Sequence, residues 1–242
     1  METWGLEAIL TNHTMGRPRE YLIDTGVFFL GYSALKSIMP GLEPGLCAFS
    51  NGISIDKLEA VFQIIQSVDN AKVTDEIYHE LVCKIAELGQ QKLYERNRQK
   101  PRYFKAYLKH NYGVMVVTPQ LSLDYQEPLQ KMVNGRMHKF NPHLKPLSDG
   151  DFSLLFAAFD RLLREDKNQL DIITSDRAIE AGAAILMKMI PQLEFLNRSM
   201  IQRAIHLDMK IYCRCAGEPY HEVFSSANYC AAVYKPEKLP SP

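Results

Sequence analysis

The sequence predicts an α/β protein: a three-layer α/β/α arrangement around a central parallel sheet, with helical insertions. Two observations favour this class. Short apolar, β-branched runs such as residues 170–174 alternate with longer segments whose apolar residues recur at helical spacing. In addition, 46% of the 242 residues are hydrophobic, which is enough to bury a sizeable core. Strands that alternate with helices pair in parallel and are covered on both faces.

The elements follow from these runs in chain order. Strands are predicted at residues 21–23, 71–73, 113–118, 170–174 and 209–213, the last of which we take as the final core strand. Helices are predicted over residues 27–39, after Ser54, after Thr74, from Ser148 through Arg164, from Ser175 and Asp176 to about Met189, and over residues 199–205. Residues 120–146 show no periodicity and contain Pro128, Gly135, Pro142 and Pro146, so we expect a long loop there.

The predicted organisation is one main domain with two extensions. Residues 1–20 form an N-terminal extension, residues 21–213 the main domain with insertions, and residues 214–242 a short C-terminal extension. The proline-rich end of that extension, residues 235–242, is expected to be loosely held.

Charge and cysteine content exclude several classes of protein. Lys+Arg and Asp+Glu number 28 each, so net charge gives no attraction to nucleic acid or membrane, and only local segregation of charge is informative. No apolar run is long enough to span a bilayer, which predicts a soluble, cytoplasmic protein with no membrane contact. The five cysteines are odd in number and irregularly spaced, which argues against a secreted disulfide framework.

Four acidic residues fall where strands end or helices begin: Asp24, Glu80, Asp151 and Asp176. Each has a structural interpretation when taken singly, since aspartates cap helices and Asp151 follows Ser148 at the spacing of a capping box. Strand carboxyl ends and helix amino ends of a parallel sheet share one rim, so the four carboxylates are expected to converge. Converging carboxylates repel one another unless a cation joins them, and oxygen ligands suit Mg²⁺ or Mn²⁺.

The order and context of these acids resemble the PIN domain family, a nuclease fold shared by toxin ribonucleases and RNA-processing enzymes. The matching pieces are Leu22-Ile23-Asp24-Thr25, Thr74 through Glu80-Leu81, Leu147-Ser148-Asp149-Gly150-Asp151, and Ile172-Ile173-Thr174-Ser175-Asp176. The resemblance implies that Asp24, Glu80, Asp151 and Asp176 bind the metal. It also implies hydrolysis of RNA phosphodiester bonds by a water activated on Mg²⁺ or Mn²⁺.

Departures and neighbouring acids qualify this resemblance. Gly26 replaces a polar residue that many members carry, and the chain is longer than the compact toxin ribonucleases. Glu76 lies one helical turn before Glu80 and could take its place, whereas Leu81 favours Glu80. Glu180 could support the site, and Asp149 is expected to cap its helix.

One stretch of the chain combines cations with aromatic rings. Arg96, Arg98, Lys100, Arg102, Lys105 and Lys109 are interleaved with Tyr94, Tyr103, Phe104 and Tyr107. Phosphates would meet the cations and unstacked bases the rings, which predicts RNA binding. The competing interpretation is a solvated helix face whose rings enter the core.

Other interpretations of the sequence are possible. Cys213 and Cys215, with His221 and Cys230, are zinc ligand types, but their spacing fits no zinc signature, so buried reduced thiols are expected. Asp24-Thr25-Gly26 matches an aspartic-protease triplet, which would need a second copy and an all-β fold. A PIN-like module that binds RNA or protein without catalysis is the main alternative. The sequence does not distinguish RNA from DNA substrates or a monomer from a homodimer, nor does it settle whether an antitoxin-like protein inhibitor exists.

Overall fold

The computed structural model describes residues 3–4, 19–28, 70–90, 99–164, 169–214 and 220–234. Within them the chain is a mixed α/β protein with a mostly parallel sheet, as the sequence predicts at that level. No helix in this described part is long and apolar enough to cross a bilayer.

The described strands form one sheet. They are β1 (Thr3–Trp4), β2 (Arg19–Ile23), β3 (Ala71–Lys72), β4 (Gln169–Thr174), β5 (Lys210–Cys213) and β6 (Tyr220–Ser225), in the order β1-β6-β5-β4-β2-β3. β2 pairs in parallel with β3 on one side and with β4 on the other, and β4 pairs in parallel with β5. The strand order therefore reverses at β2. The carboxyl ends of β2 and β4 are a topological switch point, where open α/β sheets bind ligands.

Eight helices are described, four of which lie between β3 and β4 in the chain. They are α1 (Thr25–Phe28), α2 (Asp75–Gln90), α3 (Gln99–Met115), α4 (Gln126–Phe140), α5 (Asp149–Leu163), α6 (Ala178–Met189), α7 (Arg198–His206) and α8 (Ser226–Val233), with 3-10 turns at Leu123–Tyr125 and Ile190–Gln192. The predicted caps at Thr74 and Ser148 are confirmed, because Thr74 accepts the Ile77 N–H and Ser148 forms a full capping box with Asp151. Most of the predicted helix at residues 27–39, and the helix after Ser54, lie outside the described residues.

The core forms where β2 and β4 meet α5. Leu22 and Ile23 on β2 and Ile172 and Ile173 on β4 are fully buried. α5 packs on β4 and buries its phenylalanines, Phe152, Phe156 and Phe159. Strands without an exposed face read as continuous apolar runs, which is why these two were recognisable from sequence.

The predicted strand at residues 113–118 is wrong. Residues up to Met115 belong to α3, and only one parallel bridge, between Val73 and Val116, joins the segment to the sheet. Phe104, Leu108 and Met115 are buried at helical spacing and extend the helix into the β-branched run. Packing of that helical face overrides the β propensity of Val114, whereas Val116 and Val117 follow the helix and the Val117 N–H donates to the Val73 carbonyl at 2.9 Å.

The predicted loop at residues 120–146 is also wrong in its central part, which forms a 3-10 turn and α4. Leu129, Val133 and Met137 are buried and spaced four residues apart, a helical stripe that the prolines and glycine obscured. Pro128 lies in the first turn of α4, where a missing N–H breaks no helical hydrogen bond. Gly135 has open space around it and costs the helix only propensity.

Residues 209–213 are not the last strand. β6 follows and pairs antiparallel with both β5 and β1, so the chain before residue 21 and the chain after residue 213 each contribute a strand to this sheet. Ser225 then caps α8 by accepting the Asn228 N–H.

A buried ion pair joins β2 and β4 below the middle of the sheet. The Arg19 guanidinium donates to Asp171, whose other carboxylate oxygen accepts the Lys210 N–H at 2.8 Å. Asp208 lies 3.7 Å from the same guanidinium. Burial raises the pKa of Asp171 to about 6, although the Arg19 charge opposes the rise. This buried carboxylate is matched to a cation and an amide within the fold.

Candidate functional site

The candidate site lies at the switch point, where Asp24 follows β2. Its backbone N–H continues the sheet by donating to the Ile173 carbonyl at 3.0 Å, and its side chain is 6% exposed. The carboxylate accepts a hydrogen bond from the Thr174 hydroxyl at 2.8 Å and from the backbone N–H groups of Gly26 and Ser175. The end of β2 and the end of β4 thus hold this carboxylate in one orientation.

The pKa of Asp24 is raised, and the causes describe its surroundings. Burial is the largest cause, and the negative charge of Asp151 raises the pKa further, while the three hydrogen bonds to the carboxylate oppose both. Two acids from distant parts of the chain therefore act on each other across this rim. Such a like-charge approach is typical of functional sites.

Thr174 connects Asp24 with Asp176. Its hydroxyl donates to Asp24 and accepts the Asp176 N–H at 2.9 Å. The Asp176 carboxylate accepts the Ala178 N–H at 2.8 Å and so satisfies the first N–H of α6. Asp176 lies on the predicted rim, with its side chain in a structural role.

Asp151 has the capping role considered for it from sequence. Its carboxylate accepts hydrogen bonds from the Ser148 hydroxyl at 2.7 Å and the Ser148 N–H at 3.1 Å, completing the capping box of α5. Its charge nevertheless reaches Asp24. Capping α5 fixes this carboxylate at the helix amino end, beside the carboxyl end of β2.

Glu80 reaches the site from α2. One carboxylate oxygen accepts the Thr25 hydroxyl at 2.9 Å, and the other pairs with Lys84 at 2.5 Å. A Cβ on Gly150 would lie 3.3 Å from the first oxygen, so the first turn of α5 comes close to α2 here. Glu80 therefore lies between the residue after Asp24 and the residue before Asp151.

The three acids considered as supporting ligands lie differently. Glu76 accepts a hydrogen bond from Gln126 at 3.1 Å and lines a separate cavity of about 150 Å³ with Tyr112 and Leu123. Asp149 is exposed and accepts from Gln130 at 3.0 Å, and Ser148 rather than Asp149 caps the helix. Glu180 is half-buried in the first turn of α6. Of Glu76 and Glu80 on α2, it is Glu80 that contacts Thr25.

The carboxylates approach one another as neighbours and are not gathered around one point. Among the residues that the structure describes, no three His, Cys, Asp or Glu side chains form a ready-made metal cluster. The donors at the rim are carboxylate and hydroxyl oxygens from Asp24, Asp151, Glu80 and Thr25, which fit Mg²⁺ or Mn²⁺ in kind.

The predicted RNA-binding residues lie on and before α3. Arg102, Lys105 and Lys109 are exposed on one face at helical spacing, and Tyr103 is exposed nearby, whereas Phe104 is buried. Arg96 and Arg98 lie outside the described residues, as does the side chain of Lys100. Part of the stretch is thus a solvated cationic face, and part of it enters the core.

The zinc ligands considered from sequence are only partly within the described residues. Cys213 and Cys230 are buried thiols and Cys83 is an exposed one, whereas Cys215 lies outside the described residues. Burial raises the pKa of the Cys230 thiol to about 11. These two buried thiols agree with the expectation of reduced core cysteines.

Sequence reasoning missed two residues at this rim, Arg214 and Tyr220. Cys213 pairs with Thr174 on one side and with His221 on the other, so Arg214 and Tyr220 come next along their strands, beyond the end of β5. Only the antiparallel return of β6 brings Tyr220 there. No motif in the sequence signals that return.

A scan against protein-family models finds no matching family, and searches of curated proteins and of solved structures find no match. The function of this site has to be argued from its own residues.

Proposed function

We propose that the protein is a metal-dependent ribonuclease with a PIN-like, three-layer α/β/α architecture. The substrate is RNA, the metal is Mg²⁺ or Mn²⁺, and the reaction is hydrolysis of a phosphodiester bond. The support comes from four acids in the order implied by the PIN resemblance, three of which occupy adjoining positions at the switch point of the sheet.

The observation that carries the proposal is the environment of Asp24. A carboxylate that is 6% exposed and feels the charge of Asp151 is unfavourable to the fold unless something offsets it. Divalent metal binding would offset it, because a cation favours the ionised form of both acids. A purely structural aspartate would be matched to a cation, as Asp171 is to Arg19.

Each residue has a defined task in this reaction. Asp24, Asp151 and Glu80 would hold the metal, which lowers the pKa of a bound water and stabilises charge on the leaving oxygen. Thr174 holds Asp24 through its hydroxyl, and Thr25 orients Glu80. Asp176, placed by the same Thr174 hydroxyl, would join through water or on release from its cap, and a carboxylate at this rim can accept the proton of the attacking water.

The exposed cations of α3 would bind the RNA backbone. Arg102, Lys105 and Lys109 present three positive charges along one helix face. Each phosphate contact releases counterions and contributes affinity without reading sequence. Tyr103 would offer a ring on which a base can stack.

A second function is favoured by one observation and is kept as the alternative. Asp151 and Asp176 both satisfy helix amino ends, which gives half of the acidic set a structural purpose. On that basis the fold could be a PIN-like module that binds RNA or protein with weak or no catalysis.

Cleavage assays test the proposal. Wild type is incubated with single-stranded RNA, structured RNA and single-stranded DNA, each with Mg²⁺, Mn²⁺ or EDTA, and compared with Asp24→Asn and Asp176→Asn. We expect metal-dependent RNA cleavage by wild type and a rate at least about 100-fold lower for Asp24→Asn, because the central ligand is lost. Asp176→Asn is expected to lower the rate less.

Asp124→Asn is the matched control, because Asp124 is exposed in a 3-10 turn and contacts only Ser122 among the partners described. It should cleave like wild type. Full activity of Asp24→Asn in a preparation free of contaminating nuclease would refute the assignment, and binding of RNA without any cleavage would favour the alternative.

A further inference from the structure

Arg214 and Tyr220 lie together at the rim of the sheet, on the side of β4 opposite to β2. Arg214 follows β5 and Tyr220 begins β6, and the guanidinium carbon lies over the Tyr220 ring, 6.0 Å from its centroid. Cys213 separates them from Thr174, the residue that holds Asp24. The pair thus extends the candidate site along the carboxyl ends of the parallel strands.

Both side chains are enclosed. Arg214 is 5% exposed and Tyr220 is 0% exposed. The Tyr220 hydroxyl is buried, and it forms no hydrogen bond with any residue that the structure describes. A buried hydroxyl without a partner costs about 1–3 kcal/mol, so its presence calls for a physical reason.

Electrostatics connect this pair to Asp24. Burial raises the pKa of Tyr220 well above its ordinary value; the charge of Arg214 opposes that rise and the charge of Asp24 adds to it. Tyr220 is therefore within electrostatic range of both a cation and a carboxylate. As a phenol that stays protonated, it is a hydrogen-bond donor at neutral pH.

We propose that Arg214 and Tyr220 form a phosphate-binding site beside Asp24, with the guanidinium and the phenol hydroxyl as its two donors. This inference rests on the proposed nuclease function for the source of the phosphate, which is a backbone phosphate of the RNA substrate. Arg214 and Asp24 retain a small exposed fraction, so the anion reaches the site from the rim.

The chemistry of the rim explains why a cation is needed at this place. The negative charges of Asp24, Asp151 and Glu80 together repel a phosphate. The Lys84 ammonium pairs with Glu80 and so offsets that carboxylate. A guanidinium matches phosphate oxygens with several N–H donors in fixed geometry. A phosphate would then bridge the carboxylate side of the rim, through the metal, and the donor side.

The test uses three variants and measures binding separately from catalysis. Tyr220→Phe removes only the hydroxyl, Arg214→Gln removes the charge, and Arg214→Lys keeps the charge but not the fork of donors. Affinity is measured by titration with inorganic phosphate and with a single-stranded RNA oligonucleotide in Ca²⁺. Tyr229→Phe and Arg136→Gln serve as controls, because Tyr229 packs against Phe224 and Arg136 on α4 donates a hydrogen bond to Gln192.

We expect Tyr220→Phe to lower both affinities about tenfold without loss of stability, because it removes one donor to a charged oxygen and no bond within the described fold. Arg214→Gln should lower them further and reduce the salt dependence of RNA binding by about one phosphate contact, with partial recovery in Arg214→Lys. The two control variants should bind like wild type.

The outcomes separate this inference from the nuclease proposal. If the wild type cleaves RNA while Tyr220→Phe and Arg214→Gln bind phosphate and RNA normally, the phosphate site is refuted and the nuclease function stands. If the variants lose binding but the wild type cleaves nothing, the phosphate site stands and the nuclease function fails. Absence of phosphate binding by the wild type also refutes the site. Should Arg214→Gln fail to fold, Tyr220→Phe alone decides.

Discussion

Two buried aspartates on neighbouring strands show opposite solutions to the same physical problem. Asp171 on β4 and Asp24 after β2 are both almost inaccessible to water, and burial raises the pKa of each. Asp171 is compensated within the fold by the Arg19 guanidinium and the Lys210 N–H. Among the described residues, Asp24 accepts hydrogen bonds from Thr174 and two backbone amides, and the charge that acts on it is that of another acid, Asp151.

Under the proposed function, this difference is one between a structural charge and a functional one. A buried carboxylate with a cation of its own is satisfied within the fold, and removing either partner leaves the other without its match. A carboxylate crowded by a second carboxylate is held in an unfavourable state that a ligand can relieve. The Arg19–Asp171 pair therefore needs no ligand, whereas the carboxylates at the carboxyl rim would gain from one.

The largest expected effect comes from replacing each aspartate by asparagine. Asp171→Asn should lower the free energy of unfolding by about 3–5 kcal/mol, because an NH₂ group replaces the oxygen that accepts from Arg19 and leaves that buried guanidinium without its main acceptor. Asp24→Asn should change it by no more than about 1 kcal/mol, in the stabilising direction, because it removes repulsion from Asp151. Urea denaturation of both variants measures the two values.

Asn at position 171 can still accept the Lys210 N–H with its amide oxygen, so the loss reports on the missing acceptor for Arg19 and not on that hydrogen bond. Similar destabilisation by the two substitutions would remove the distinction between the two regions. It would make Asp24 as structural as Asp171.

A smaller effect is expected in the pH dependence of stability. The pKa of Asp171 in the folded protein is raised to about 6, above its ordinary value of 3.8. Its favourable contribution is therefore complete below pH 3.8 and is lost as the pH rises through about 6, by up to about 3 kcal/mol. The pKa of Asp24 is raised too, so its contribution also declines with rising pH.

Added Mg²⁺ or Mn²⁺ should tell the two aspartates apart. At pH 7 the metal should raise the free energy of unfolding of the wild type and of Asp171→Asn, but not of Asp24→Asn. Unfolding measured from pH 4 to 8 with and without metal tests this. An equal metal response in all three proteins would show that Asp24 is not a ligand.

The same contrast explains how much of the molecule was predictable from sequence. β2, β4 and α5 were found because their residues are buried on all sides or carry strong caps, which leaves a local pattern. α4 was missed because Pro128 and Gly135 disguise a helical stripe, and the strand predicted at residue 113 failed because packing of α3 outweighs local propensity.

At the site, the acids could be identified from sequence by their type and their position at strand ends and helix starts. Arg214 and Tyr220 could not. Their placement beside Asp24 depends on two pairings, β4 with β5 and β5 with β6, of residues far apart in the chain. Likewise, nothing in the sequence indicates that the Asp151 charge acts on Asp24 while its oxygens cap α5. Such long-range pairings leave no local periodicity to detect.

The smallest expected effect concerns Gly26, two residues after Asp24 in α1. A Cβ at this position would overlap the Ser175 hydroxyl and lie 3.2 Å from the nearer Asp24 carboxylate oxygen. Gly26→Ala should therefore turn the Ser175 hydroxyl away at a cost of about 1 kcal/mol, which offsets the gain of about 0.5–1 kcal/mol from placing Ala in a helix. In a Ser175→Ala background the overlap with the hydroxyl is gone, and Gly26→Ala should become stabilising. A double-mutant cycle by thermal denaturation measures this coupling, and additive effects would show that Gly26 and Ser175 do not constrain each other at the rim.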